Sequence, residues 1–226
     1  MPICRVVSIP GPVAYEEALA RQYALVHQRQ AGEAADTLLL LEHPPTITLG
    51  RRTHRADLLT PPERLREQGI AVVEADRGGE ITYHAPGQLV GYPILDLRSH
   101  GQDLHRYLRD LEETLIRALA GFGIAAGRVE GLTGVWVGED KIAAVGIKVS
   151  RWVSMHGFAL NIALDLTPMR RDIVPCGIRG RGVTSLRELR PERAWTRAEA
   201  EAATVAAFAD VFGVTPIREQ EGILSP

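Results

Sequence analysis

The chain of 226 residues is 45% hydrophobic and 24% charged, which is typical of a globular enzyme with a sizeable core. Its formal net charge of -2 argues against nucleic-acid binding, and two cysteines without a CxxC pair argue against a disulfide framework or a metal site. Without a signal-peptide pattern or an apolar run of about 18 residues, we expect a reduced, cytoplasmic protein that does not enter a membrane.

The first half of the chain alternates predicted strands and helices. Residues 13–30 carry apolar side chains at helical spacing, which predicts a helix. A short apolar run ending before Pro44-Pro45 predicts a buried strand. The stretch from Pro61 to Gly69 begins with two prolines and ends with a glycine, which predicts a short helix. The stretches "IAVVEADRGG" and "GQLVGYPILDL" predict two further strands.

The second half opens with the clearest amphipathic helix, "DLHRYLRDLEETLIRALAGFG". The spacing puts these side chains on its apolar face: Leu104, Tyr107, Leu108, Leu111, Leu115 and Leu119. The stretch "GVWVGEDKIAAVGIKVS" predicts a hairpin that turns at Gly138-Glu139-Asp140, and "WVSMHGFALNIAL" predicts the next strand. Thr196 and Glu199 have capping-box spacing at the start of a last helix.

Runs of strands with helices between some of them predict a mixed β-sheet flanked by helices, an α/β or α+β architecture. No repeat, low-complexity tract or linker divides the chain. We therefore expect one monomeric domain over residues 1–226, with residues 214–226 as a loosely held tail.

The basic residues are strongly biased, because only two of the 26 are lysines, Lys141 and Lys148. A lysine can lose its proton where an arginine stays charged, so a lysine that persists is a candidate for proton transfer. Lys141 leads into Ala143, Ala144 and Gly146, whose small side chains leave room for a ligand above a strand. The alternative is a solvated lysine at the end of a hairpin, and it fits Lys148 better.

The stretch "DRGGEITYHAPGQLVGYP" concentrates glycines, an arginine, a tyrosine and a histidine within a few residues. Gly78 and Gly79 allow a close approach of backbone to a ligand, and Arg77 offers a fork of donors beside them. The alternative is a structural hairpin turn with a surface histidine, His84. The chain has neither a P-loop nor a GxGxxG motif, so no nucleotide signature accompanies the stretch.

Cys176 lies in a glycine- and arginine-rich loop, where a thiol either packs or reacts. A cation beside it would favour the thiolate, and Lys141, His84 and His156 are all candidates for that neighbour. The amide of Gly177 is a candidate oxyanion-hole donor. Cys4, in an apolar N-terminal strand, is interpreted as a packing residue.

Three separated blocks, "RGGEITYHAPGQLVGYPILDL", "GVWVGEDKIAAVGIKVSRWVSMHGFALN" and "IVPCGIRGRGVTSL", now stand in this order along the chain. Together they resemble the signature blocks of the lipoyl(octanoyl) transferases, the octanoyl-[acyl-carrier-protein]:protein N-octanoyltransferases. The resemblance extends from "LLLLEHPPTITLGRR" to the final helix. It implies a mixed sheet flanked by helices, similar to lipoate and biotin protein ligases.

The resemblance also implies the site residues. Cys176 corresponds to the catalytic cysteine of the family, and Lys141 corresponds to its catalytic lysine. The implied acyl-binding residues are Arg77, Gly78, Gly79, Glu80, Ile81, Thr82, Tyr83, His84, Ala144, Val145, Gly146, Gly157, Phe158 and Ala159.

The implied activity is transfer of an octanoyl group, through a cysteine thioester and without a cofactor, in the first step of protein lipoylation. The implied donor is octanoyl-acyl carrier protein. The implied acceptors are lipoyl domains of 2-oxoacid dehydrogenase E2 subunits and the glycine cleavage H protein. Arginines in loops around the motifs are candidates for steering these acidic partners, with an ordinary solvated surface as the alternative: Arg51, Arg52, Arg55, Arg170, Arg171, Arg179 and Arg181.

Two other functions stay open at this point. An ATP-dependent lipoate or biotin protein ligase of similar fold would form an adenylate in place of a thioester. A non-catalytic lipoyl- or acyl-binding module would keep the pocket and tolerate the loss of Cys176.

Overall fold

The computed structural model describes residues 1–177 and 180–219, with only the backbone at position 176. The helices are α1 (Tyr15–Ala31), α2 (Pro62–Glu67), α3 (Leu104–Ala120), α4 (Thr167–Arg171), α5 (Leu186–Leu189) and α6 (Arg197–Phe212). The strands are β1 (Ile3–Pro12), β2 (Asp36–Glu42), β3 (Thr46–Leu49), β4 (Ala71–Glu74), β5 (Ile81–His84), β6 (Gln88–Ile94), β7 (Val135–Val137), β8 (Asp140–Ser150), β9 (Val153–Asn161), β10 (Gly182–Val183) and β11 (Thr215–Glu219). Short 3-10 turns occupy Arg55–Asp57, Leu97–His100 and Pro175–Gly177.

Eight of the described strands form one large mixed sheet. Its order is β10-β8-β9-β6-β2-β1-β11, and β7 pairs with β8. Strands β6 and β8 both run antiparallel to β9, which lies between them, whereas β1 is parallel to both β2 and β11. The predicted hairpin of β7 and β8 is present and turns at Gly138 and Glu139. The mixed sheet with flanking helices agrees with the architecture expected from the sequence.

A second, smaller sheet has the order β4-β3-β5. Its strands bury Ile47 and Ile81 in a cluster with Leu65 of α2 and Met169 of α4. Because β5 belongs to this sheet and β6 to the large one, the turn between them joins the two layers. The small sheet therefore faces the large sheet across the space in which the candidate site lies.

Helices cover both faces of the large sheet. Leu111 and Leu115 of α3 and Phe208 of α6 share one core cluster with Val145 and Phe158. On the other face, α1 packs through Ala18 in one cluster and through Leu25 and Val26 in another. β2 is covered on both sides, which explains its unbroken run of four leucines.

Most predicted elements are confirmed, including the capping box of Thr196 and Glu199 on α6. On the predicted face of α3, Leu108 is half-buried and Leu104 is 41% exposed, because Leu104 is the first residue of the helix. The expected loose tail is also corrected in part. Residues Thr215–Glu219 form β11 and pair in parallel with β1, and residues 220–226 lie outside the described part of the chain. Cys4 is fully buried, in agreement with its interpretation as a packing residue.

Within the described residues, no helix combines the length and the apolar character that a membrane span requires. The same residues contain no cluster of three or more side chains suited to hold a metal ion.

Candidate active site

A cavity of about 330 Å³ lies between the small sheet and the α1 face of the large sheet. Strands β6, β8 and β9 form its floor, and β5 with the preceding glycine-rich loop lies over it. The lining residues are Tyr15, Arg52, Arg77, Gly79, Glu80, Ile81, Thr82, His84, Val90, Tyr92, Gly131, Leu132, Thr133, Lys141, Ala144, Val145, Gly146, His156, Gly157, Phe158, Ala159 and Gly177.

Small residues in register create the space above the floor. Ala144 of β8 pairs with Ala159 of β9, and Gly146 pairs with Gly157. A Cβ at Gly146 would collide with the Gly78 carbonyl oxygen and one at Gly157 with the Gly91 carbonyl oxygen, so the glycines permit close packing, and the two alanines leave a shallow trough in the floor. A floor of small residues leaves room for an extended ligand.

The loop that carries Arg77 lies directly on the trough. Gly79 has a φ of 86°, which a glycine adopts without strain. The amide of Gly78 donates to the carbonyl of Ile147 at 2.8 Å, and this bond fixes the loop to β8. A Cβ at Gly146 would come within 2.9 Å of the Gly78 carbonyl oxygen, so the close contact depends on a glycine in β8.

The Arg77 side chain ties the same loop to the small sheet. Its guanidinium is buried and donates to the Thr48 carbonyl at 3.1 Å and to Thr48 Oγ1 at 2.6 Å. It lines the cavity, as expected, and its bonds to Thr48 fix it against the small sheet. Arg77 therefore holds the shape of the cavity.

One end of the cavity is lined by buried aromatic and imidazole rings. Burial raises the pKa of Tyr15 to about 12 and holds the pKa of His84 well below its ordinary value. His84 Nδ1 bonds Gln88 Oε1 at 2.7 Å, and Tyr92 OH bonds His43 Nε2 at 2.7 Å. We call this the ring end of the cavity. Its imidazoles are uncharged at neutral pH.

His156 belongs to the ring end and is held in an unusual conformation. It has a φ of 57° in the middle of β9, a conformation that costs a non-glycine residue roughly 1–3 kcal/mol. Its amide donates to Gln22 Oε1 at 2.7 Å, and its Nε2 bonds Asp76 Oδ1 at 2.7 Å. Burial lowers the pKa of His156 to about 4 despite the nearby carboxylate, so the ring is neutral.

Lys148 is tied to the same carboxylate. Its Nζ forms a salt bridge with Asp76 Oδ2, and the hydroxyl of Tyr23 donates to that oxygen. Burial alone would raise the pKa of Asp76, but the bonds from Lys148, Tyr23 and His156 together lower it well below its usual range. Lys148 is therefore a structural partner of Asp76, whose charge is fully engaged.

Lys141 lies at the opposite end, which we call the lysine end. It is 6% exposed, and its Nζ lies over the Trp136 ring at 4.7 Å from the centroid. Among residues 1–177 and 180–219, no carboxylate forms a salt bridge with it. From Lys141 to Gly146 the strand advances by about 16 Å, at ~3.3 Å per residue, so the trough is long enough for an eight-carbon chain.

The loop beside Lys141 is fixed from the far side of the sheet. Gly134 has a φ of 115°, and a Cβ there would lie 3.2 Å from Lys141 Cε. The amide of Gly134 donates to Glu112 Oε1 at 2.9 Å, and the other oxygen of this buried carboxylate accepts from Arg109 and Arg128. The glycine leaves room for the lysine stem, and Glu112 holds the glycine in place.

Cys176 lies in the 3-10 turn Pro175–Gly177, and its side chain lies outside the described residues. The next residue, Gly177, lines the cavity together with Lys141. A Cβ at Gly177 would be 3.4 Å from Asp57 Oδ2 and from Glu80 Oε2. The turn that contains position 176 therefore borders the same cavity as Lys141 and lies beside Asp57 and Glu80.

One expectation about this turn requires correction. The amide of Gly177, suggested as an oxyanion-hole donor, instead donates to the Val174 carbonyl at 3.0 Å. Because that bond closes the turn, the amide is already occupied in this conformation.

The structure brings most of the predicted acyl-binding residues to one cavity. Two of them lie outside its wall. Gly78 is bonded to Ile147, and Tyr83 lies on the opposite face of β5 from Thr82 and His84, in the cluster with Ile47. The alternation of side chains along a strand accounts for Tyr83.

Several lining residues were not predicted as acyl-binding residues, among them Tyr15, Val90 and Tyr92. The "HAPGQLVGYP" part of the first motif contains two of these, so alternation along its predicted strand was a usable signal. Nothing in the local sequence of Tyr15 indicates a pocket. Its position follows from the packing of α1 on the large sheet.

Comparison with known proteins finds relatives over nearly the whole chain. The family model of the lipoyl protein ligase A/B catalytic domain matches residues 14–209. An octanoyltransferase of Chloroflexus aggregans is 50% identical over 210 residues, which are 92% of this chain and 94% of the relative. An octanoyltransferase of Geobacter sulfurreducens is 54% identical over 195 residues, 86% of this chain and 79% of the relative.

Solved structures share the fold at low identity. Lipoate-protein ligase A bound with ATP has a TM-score of 0.82 at 18% identity, over 98% of this chain and 90% of that one. A bi-partite lipoate protein ligase from Thermoplasma acidophilum has a TM-score of 0.71 at 16% identity, over 99% and 89%. At these identities the likeness describes the fold alone.

Proposed function

The chain belongs to the octanoyltransferase family of acyltransferase enzymes, and from this premise we propose a complete reaction. In this reaction the enzyme transfers an octanoyl group from octanoyl-acyl carrier protein to a lysine of a lipoyl domain, through a thioester on Cys176. The acceptors are the lipoyl domains of 2-oxoacid dehydrogenase E2 subunits and the glycine cleavage H protein. A reducing cytoplasm, in which a thiol nucleophile persists, is the setting of this proposal.

One observation carries the proposal. A trough walled by small residues extends from Lys141, and the turn that carries Cys176 contributes its next residue, Gly177, to the same cavity. An acyl chain in the trough would have its carbonyl at the lysine end. Burying the chain contributes several kcal/mol, at ~0.8 kcal/mol per methylene group.

In the first step, Cys176 attacks the thioester carbonyl of the donor as a thiolate. A free thiol with a pKa of about 8.5 is mostly protonated at neutral pH, and the ammonium of Lys141 favours the thiolate. The bond from the acyl carbon to the donor sulfur breaks, and the departing sulfur takes a proton from Lys141. This leaves octanoyl-Cys176 beside a neutral Lys141.

In the second step, the neutral amine of the acceptor lysine attacks the octanoyl-Cys176 carbonyl. The new carbon–nitrogen bond forms as the carbon–sulfur bond breaks, and the proton of the amine passes to Lys141. Cys176 leaves as the thiolate and Lys141 is again an ammonium, so the resting pair is restored. An arginine at position 141 could supply the charge of the first step but not the base of the second.

This sequence of steps needs no ATP. Exchange of one thioester for another is nearly neutral in free energy, and conversion of a thioester to an amide is downhill. The missing P-loop and dinucleotide motifs agree with that.

A basic residue at the mouth fits acidic protein partners. Arg52 is exposed and lines the cavity, so it is placed to meet a carrier protein whose acyl group enters the trough. Arg170 differs from it, because both of its terminal nitrogens are bonded to Glu188. Of the arginines suggested for steering, we therefore assign Arg52 to the donor.

The test is incubation with octanoyl-acyl carrier protein in the absence of ATP, followed by intact-mass analysis. The wild-type chain and a Cys4→Ala control gain one octanoyl group, and Cys176→Ala gains none. An adduct that persists in Cys176→Ala contradicts the proposal. Modification that appears only with free octanoate and ATP would instead identify a ligase that forms an adenylate.

A further inference from the structure

We propose that Trp136 is a positioning residue for the catalytic pair, Cys176 and Lys141. Its ring would hold the Lys141 ammonium in place. The inference rests on the proposed function, because it assigns Lys141 to the first step. The indole is 3% exposed and lies in β7, directly across from Lys141 in the β7–β8 pairing. Lys141 Nζ lies 4.7 Å from the ring centroid, within the range of a cation–π interaction.

A second cation uses the same ring. The Arg181 guanidinium carbon lies 5.5 Å from the Trp136 centroid, and Arg181 also pairs with Glu139 at 3.3 Å. Arg181 immediately precedes β10, where Val183 pairs with Lys141. Trp136 therefore contacts both the strand that carries Lys141 and the segment that returns from the Cys176 turn.

The backbone that carries the ring is fixed by two hydrogen bonds. The amide of Trp136 donates to the Gly127 carbonyl at 2.9 Å, and the Gly127 amide donates to the Trp136 carbonyl at 2.8 Å. The indole nitrogen has no hydrogen-bond partner among residues 1–177 and 180–219. Its described contacts with charged groups are thus made by the ring, and substitution by phenylalanine breaks no described hydrogen bond.

The consequence for the reaction is electrostatic. A carboxylate beside Lys141 would neutralise the ammonium and compete with the Cys176 thiolate for it, whereas an indole face holds the cation without a competing charge. The charged groups described around Lys141 include Asp140, which precedes it in β8, Arg181 on the ring with its partner Glu139, and Glu112, which is bonded to Gly134. Trp136 keeps the ammonium in place and available to the sulfur.

The experiment measures the rate of Cys176 alkylation by iodoacetamide as a function of pH, in a Cys4→Ala background. Trp136→Phe keeps a weaker ring and Trp136→Leu removes the ring. We expect the rate at neutral pH to fall about threefold for Trp136→Phe and about tenfold for Trp136→Leu, with the midpoint of the pH profile moved upward. A merely structural role would not move that midpoint.

Trp195→Phe is the matched control, because the Arg193 guanidinium carbon lies 4.1 Å from the Trp195 ring centroid, outside the cavity. Its alkylation profile should equal that of the parent. If Trp136→Phe is folded and its profile also equals the parent's, the inference is overturned, while the octanoyl adduct of the parent still supports the proposed function. If the parent forms no adduct, the proposed function fails independently.

Discussion

The two lysines of the chain lie on one strand, seven positions apart, and their surroundings are opposite. Lys148 is bonded to Asp76, which also binds His156 and Tyr23. Lys141 lies over an indole and, among the described residues, forms no salt bridge. A lysine whose charge is already paired holds the fold together, and one whose charge is left available can act on a substrate.

The two ends of the cavity repeat this contrast. The ring end buries neutral imidazoles that are hydrogen-bonded to polar side chains, and the lysine end holds a cation in a cavity that Gly177 also lines. In the proposed reaction, the ring end would set the shape and depth of the trough and the lysine end would carry the chemistry.

The largest expected effect is on the rate of acyl transfer, and it appears when Lys141→Arg is compared with the separate variant Lys148→Arg. Lys141→Arg should still form octanoyl-Cys176 but transfer it to a lipoyl domain about 100-fold more slowly, because the guanidinium does not accept the proton of the amine. Lys148→Arg should transfer at the parent rate, because arginine can also pair with Asp76. Single-turnover transfer from the isolated acyl-enzyme measures both rates.

Equal transfer by the Lys141 and Lys148 variants would remove the distinction between the two lysines and the base role of Lys141. Loss of both steps in Lys141→Arg would restrict the residue to thiolate formation.

A smaller effect is expected from narrowing the trough between its ends. Ala144→Val places two methyl groups beside Ala159, and loss of about two buried methylenes lowers kcat/KM for octanoyl-acyl carrier protein about tenfold. The hexanoyl donor should be nearly unaffected, so the ratio of the two kcat/KM values reports the change. Ala125→Val, at an exposed position, should leave that ratio unchanged.

If Ala144→Val lowers kcat/KM equally for the octanoyl and hexanoyl donors, the acyl chain does not lie along β8. The acyl chain would then have to enter the cavity along a different path.

The smallest expected effect is on the pH dependence of stability, which depends on the neutral histidines of the ring end. The pKa values of His43 and His156 are both lowered to about 4 by burial, below the unfolded value of about 6.5. The unfolded chain then binds more protons between these values, so the free energy of unfolding should fall as pH falls from about 6.5 to 4. Each histidine contributes a slope of at most about 1.4 kcal/mol per pH unit.

Urea denaturation across this range measures the slope, and His156→Gln should make it shallower. A slope that does not change in His156→Gln would show that this ring is not neutral in the folded protein.

Local signals were sufficient for much of the fold. The capping box of α6, the proline start of α2 and the leucine run of β2 each act within a few residues, and the structure agrees with them. The same holds for the small residues of β8, because alternation along a strand brings Ala144 and Gly146 to one face.

The rest depends on contacts that no local pattern contains. His156 meets Asp76 across 80 positions, and its left-handed conformation in β9 is imposed by that bond and by Gln22. Likewise, the occupied amide of Gly177 could not be inferred from the sequence, because it depends on how the turn closes on Val174.

The buried carboxylate of Glu112 has a consequence for natural variation. It joins Arg109 of α3 and Arg128 to Gly134, the glycine that borders the Lys141 side chain. We therefore expect the tolerance of a position to amino-acid exchange to depend on its place in this chain of bonds, and not only on its distance from the cavity. Residues on the back of the molecule, remote from any bound acyl group, would then be as restricted in evolution as those in the trough.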